Sequence, residues 1–163
     1  MKKLILILTL FPLLSLAQDL LNVKNTLVHT SGTLIGTIES INFTIQDYTE
    51  VEGIRSEKLL NISIVNLTTS LLGDGAVNIT QQELEDLSAN VSKMVEMFPD
   101  MVKGKDALTY ESESGFYISL TPYDKRTAGI VMIKSQEPLP SQIINPTTLI
   151  ELDQLLKKSL QSF

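Results

Sequence analysis

Val77-Asn78-Ile79-Thr80-Gln81-Gln82-Glu83-Leu84-Glu85-Asp86-Leu87, running on to Pro99, is the stretch that decides the fold. Val77 and Ile79 make a short apolar entry. Thr80 and Glu83 then have the spacing of a capping box, in which the hydroxyl accepts from the third helical amide and the Glu reaches back to the cap amide. Leu84, Leu87, Val91, Met94, Val95 and Phe98 follow at spacings of three and four, the apolar stripe of a helix laid on a core. Glu83, Glu85 and Asp86 sit in the first turns, where the helix dipole favours them. Pro99 ends the helix, so it is expected over about 80–98.

Upstream, Ile41, Phe43 and Ile45 alternate with Asn42, Thr44 and Gln46. Period-two alternation of this composition makes Ile38 to Tyr48 a strand with one buried and one wet face. Leu60, Ile62 and Ile64 alternate in the same way and give another strand, with Glu50–Lys58 read as a charged loop. Val23, Leu27 and Val28 suggest a short earlier strand, with turns or bulges at Gly32 and Gly36. Downstream, residues 107–134 read as a three-stranded meander: Leu108 and Tyr110, then Phe116, Ile118 and Leu120, then Ile130 to Ile133. Pro138 and Pro140 mark a loop. A last helix, about 146–161, begins at Asn145-Pro146 or at Thr148 with Glu151. It carries Leu149, Leu152, Leu155, Leu156 and Leu160 on one face and ends near Lys157 and Lys158. The expected fold is α+β: an antiparallel sheet of about five to six strands with both helices on one face.

The first 17 residues differ from the rest. Lys2 and Lys3 precede an apolar run from Leu4 to Leu16, and Ser15-Leu16-Ala17 places small residues at a cleavage site. That is the layout of a secretory signal peptide, too short to span a bilayer. The expected division is 1–17 signal peptide and 18–163 one α+β domain, exported to the periplasm or the extracellular space. Removing two lysines takes the formal charge from −6 to about −8. Five N-x-S/T triplets, at Asn42, Asn61, Asn66, Asn78 and Asn90, would be glycan acceptors in a eukaryotic secretory route. Asn78 and Asn90 fall in or beside a predicted helix, which favours coincidence.

With 163 residues and no cysteine, the chain has no disulfide scaffold, thiolate metal site or cysteine nucleophile. Its acidity disfavours nucleic acid as a partner. His29 is the only imidazole, and no G-x-S-x-G, H-E-x-x-H, P-loop or G-x-G-x-x-G occurs. Gly73-Asp74-Gly75 with Asn78 offers oxygen ligands but lacks the alternating acids of a calcium loop. These observations assign no catalytic, cofactor or metal residue.

The stretch Val77–Leu87, followed by Tyr110 and by Gly115-Phe116, resembles a loose group of small uncharacterised bacterial exported α+β proteins. In that group a short strand feeds an acidic-capped helix, and a tyrosine-bearing strand, a Gly-Phe hairpin and a C-terminal helix follow. Here the helix entry is Thr80-Gln81, where the group tends to have an acidic residue and a tyrosine. The resemblance implies an architecture and export, and no activity.

The reading that follows is a non-enzymatic exported domain that binds a protein partner or small ligand. Tyr117, Tyr123, Lys125 and Arg126 are its candidate contact residues, an exposed tyrosine beside cations. One alternative is a small hydrolase using His29 or the carboxylates Glu111 and Glu113, which are two residues apart and so share a strand face. Another is a carrier of an apolar ligand between sheet and helices.

Overall fold

The computed structural model describes residues 27–51, 55–65, 74–122, 128–136 and 139–163. The chain runs through strands β1 (Val28–Ile38), β2 (Ile41–Glu50), β3 (Ser56–Ile64) and β4 (Gly75–Ile79), then helix α1 (Gln81–Met97). A short 3-10 turn, Phe98–Asp100, leads to β5 (Leu108–Glu111), β6 (Phe116–Leu120), β7 (Gly129–Ile133), β8 (Ser141–Ile144) and helix α2 (Pro146–Leu160). The same plan, four antiparallel strands and then a helix, occurs twice.

The α+β class holds, but the single sheet of five to six strands is instead two four-stranded meanders, β1-β2-β3-β4 and β5-β6-β7-β8. Two edge strands account for the difference in strand number. The apolar entry Val77–Ile79 pairs with β3 as β4 rather than merely leading into the helix. Ser141–Ile144, just past Pro140, pairs with β7 as β8. Its four residues include the polar Ser141 and Gln142, too short an alternation to stand out in the sequence. Of the turns or bulges expected at Gly32 and Gly36, β1 passes straight through Gly32, and a bulge does fall between Leu34 and Gly36. Val23 lies outside the described residues.

Both helices start where capping chemistry allows. Thr80 Oγ1 accepts from the Glu83 N–H at 3.3 Å, and Asn145 Oδ1 accepts from the Thr148 N–H at 2.9 Å. Asn145, not Thr148, is therefore the second cap, with Pro146 in the first turn, where its missing N–H costs nothing. The helices lie against each other; α2 also meets β1 and β2, and α1 meets β3 and β5.

One apolar core joins both sheets. Ile41, Phe43 and Ile45 of β2, Leu60, Ile62 and Ile64 of β3 and Leu84, Leu87 and Val91 of α1 belong to it. Phe116, Ile118, Val131 and Ile133 of the second sheet and Leu152 and Leu156 of α2 belong to the same cluster. Each such side chain contributes about 1.5–3 kcal/mol through burial. Among the described residues, no helix is long and apolar enough to cross a membrane.

Gln136 joins the two halves at β4. Its amide nitrogen donates to the Ala76 carbonyl at 2.7 Å, and its Oε1 accepts from the Ala76 N–H at 3.2 Å. One side chain thus replaces a ladder rung on an edge strand that would otherwise expose both groups.

Candidate functional site

The alternation that buries Phe43 and Ile62 turns Gln46, Tyr48, Glu57, Leu59, Asn61 and Asn78 to the opposite face of the first sheet. Tyr48 stands across from Glu57, Gln46 from Leu59, and Asn61 from Asn78. Asn61 donates to Asn78 Oδ1 at 2.8 Å, and the Tyr48 hydroxyl donates to Gln46. Leu59 is buried here although it lies outside the main core.

Where this face reaches β4, the second sheet overhangs it. The β5–β6 turn is tightly held: the Ser112 hydroxyl accepts from the Phe116 N–H at 3.0 Å, and Lys134 N–H donates to the Gly115 carbonyl at 2.8 Å. Gly115 has φ +90°, a left-handed conformation that disfavours a side chain. This turn projects Glu113 and Ser114 toward the start of α1. Glu83 meets them, accepting from the Ser114 N–H at 2.7 Å and from the Ser114 hydroxyl. The capping box therefore forms only in half. Thr80 caps the helix, but the Glu83 carboxylate is drawn to two donors on another element and does not return to the cap.

These parts enclose a cleft of about 390 Å³. Leu59, Val77 and Asn78 line it from the sheet, Thr80 and Glu83 from α1, and Glu113, Ser114 and Ser135 from the two turns; Glu57 completes the wall. Three carboxylates face it, and among the described residues no lysine or arginine lines it. Burial raises the Glu57 pKa above its ordinary value. Its Oε2 is buried and makes no hydrogen bond. The Tyr48 hydroxyl is raised by burial and then by the Glu57 charge, against a lowering from its bond to Asn78. Tyr110 is raised by burial first and then by Glu83, Asp86 and Glu113, a sign of the negative field at this end of α1.

The residues singled out from sequence are scattered. Tyr117 is half-buried on β6, with the Lys134 ammonium 4.4 Å from its ring centroid. Lys134 also pairs with Glu111 at 2.6 Å. Tyr123, Lys125 and Arg126 lie outside the described residues. Glu111 and Glu113 do not converge: the first belongs to the Lys134 pair, the second to the cleft wall. His29 is exposed on β1 opposite Thr49. Gly75 and Asn78 are strand residues, and among the described residues no group of three or more His, Asp or Glu is placed to hold a metal ion. Asn42, Thr44 and Gln46 share one polar face, whereas Tyr117 belongs to the other sheet.

No sequence motif marks Glu57, Glu83 or Gln136 as site residues. Glu57 fell in the supposed loop 50–58, yet β3 begins at Ser56. Extending the Asn61–Leu59 alternation back by two residues would have placed Glu57 on the polar face. Neither a protein-family model nor the sequence of a curated protein matches the chain.

Proposed function

We propose that this chain is an exported, non-enzymatic binding domain whose cleft beside β4 takes the positively charged group of a small ligand or of a protein partner. The observation that carries this reading is Glu57: one carboxyl oxygen is buried without a hydrogen bond in the wall of a cleft that also holds Glu83 and Glu113. An unpaired buried acceptor costs about 1–3 kcal/mol, and a cationic donor removes that cost. Asn78 and Ser135 supply neutral polar contacts, and Leu59 supplies an apolar floor for the stem of a lysine-like group. Tyr117 with Lys134 is a second contact surface in this reading; Tyr123, Lys125 and Arg126 remain candidate contact residues on sequence grounds alone. Export rests on Lys2, Lys3, the run Leu4–Leu16 and Ser15-Leu16-Ala17.

The space between sheets and helices is filled by Phe43, Phe116 and their neighbours. An apolar cargo would instead take the open cleft of about 480 Å³ beside Met97, Met101 and Leu108. Calorimetric titration with amines and short lysine-containing peptides tests the main reading. Binding that weakens at least tenfold in Glu57→Gln supports it. No heat with any such probe at millimolar concentration rejects it. Turnover of a hydrolase substrate, lost in Glu113→Gln, would replace it with the enzymatic alternative.

A further inference from the structure

We infer that β1 is a self-association edge: two copies of this chain pair antiparallel along Val28–Leu34 and join their first sheets into one. The four sheet edges are treated unequally. β4 is closed by Gln136, and β5 and β8 have only four residues each. β1 has eleven. Its C-terminal part is covered by α2, since Lys158 donates to the Ile35 carbonyl at 2.7 Å. A Cβ on Gly36 would lie 2.7 Å from Leu155, so the helix is in close contact there. The open part is Val28–Leu34, and its residues 29–34 are exposed.

This open part has none of the devices that protect an edge. It contains no Lys, Arg, Asp, Glu or Pro, and the one bulge comes after Leu34. Two copies of an acidic chain repel over most of their surfaces. A neutral strand is where they can meet without placing like charges face to face.

The ladder phase favours a symmetric match. Val51 N–H donates to the Leu27 carbonyl at 2.9 Å. Bonded positions alternate in an antiparallel pair, so His29, Ser31 and Thr33 bond toward β2. Val28, Thr30, Gly32 and Leu34 then direct their N–H and C=O groups outward. A two-fold axis at Ser31 sets Val28 beside the second copy's Leu34 and Thr30 beside its Gly32. Every outward group finds a partner, giving about eight new bonds. Leu34, 61% exposed, gains an apolar neighbour. Because the same seven residues serve both sides, the interface is isologous and closes at two copies.

Sedimentation velocity on the purified protein up to about 100 μM, where a complex of micromolar affinity is populated, reads the assembly directly. A dimer is expected, with Thr30→Pro raising its dissociation constant at least tenfold while the circular dichroism spectrum is unchanged. If Thr30→Pro does not fold, Ser31→Lys, which sets like charges opposite each other at the axis, gives the same readout. The chain lacks cysteine, so Ser31→Cys reports the register. Residues at the axis form a non-bonded pair with Cα atoms about 4.5 Å apart, within disulfide reach. That variant should oxidise to a covalent dimer at least tenfold faster than Ala89→Cys on α1. A wild-type monomer at all concentrations, a dimer unaffected by Ser31→Lys, or equal crosslinking of the two cysteine variants would overturn the inference.

Discussion

The carboxylate of Glu83 on α1 accepts both the backbone N–H and the hydroxyl of Ser114 in the β5–β6 turn. This contact ties the first helix to the second sheet and forms one wall of the cleft. Hydrogen bonds to a charged group contribute about 1.5–3 kcal/mol. Glu83→Ala is therefore expected to destabilise the chain by about 2 kcal/mol in urea unfolding. Ser114→Ala should cost about half as much, because its backbone N–H still reaches the carboxylate. Equal losses for the two variants would mean that the backbone bond contributes nothing.

Gln136 satisfies both main-chain groups of Ala76 on the β4 edge. Truncation to Ala exposes a donor and an acceptor at once. We expect a loss of about 1–2 kcal/mol and faster amide exchange at Ala76. Hydrogen-exchange mass spectrometry checks this, and unchanged exchange in the peptide containing Ala76 would contradict it.

The Glu57 carboxyl titrates above its ordinary range because burial penalises its charge. A folded-state pKa above the unfolded one means that the folded chain holds the proton more tightly. This group's contribution to stability therefore falls as pH rises from the unfolded pKa through the folded one, and it is level beyond both. Glu57→Gln has no charge to bury. Its Tm should therefore gain on that of wild type as pH rises from about 4 to neutral. A Tm difference that does not change with pH would refute the assignment.

Export predicts a mature chain beginning at Gln18 and recovered outside the cytoplasm. N-terminal sequencing of protein from fractionated cells checks both points. Met1 at the N-terminus of a cytoplasmic protein would refute them.

Much of the fold was legible because its signals are local. The period-two run Ile41–Gln46, the Thr80 cap, the stripe Leu84–Val91–Met94 and the Pro99 stop each depend on neighbours within a few residues, and each is found as expected except that a turn at Glu39-Ser40 gives Ile38 to β1 and starts β2 at Ile41. The last helix is equally clear, though the sequence offers two starts for it and only the Thr148 N–H bond to Asn145 decides between them. The short edges β4 and β8 were not legible. Four or five residues give too little alternation, and an edge strand is defined by the neighbour it pairs with.

The site was harder still. Glu83 had a complete local explanation as a capping residue, and nothing in its surroundings along the chain points to Ser114, 31 residues away. Gln136 meets Ala76 from 60 residues away. Glu111 and Glu113 looked like a pair because they are close in sequence, but the turn between them sends one to Lys134 and the other to the cleft.

The sequence by itself determined the α+β class, the two amphipathic helices with their caps and the polar alternation of β2 and β3, because hydrophobic period and capping chemistry act over one or two turns of chain. Tertiary structure alone decided that the strands divide into two sheets around one core and that Glu57, Glu83 and Glu113 share a cleft. It also covered the end of β1 with α2 and left Val28–Leu34 as an open edge among the described residues. Those outcomes depend on which side chains from distant segments satisfy each other's buried charges and main-chain groups, and no local pattern records that.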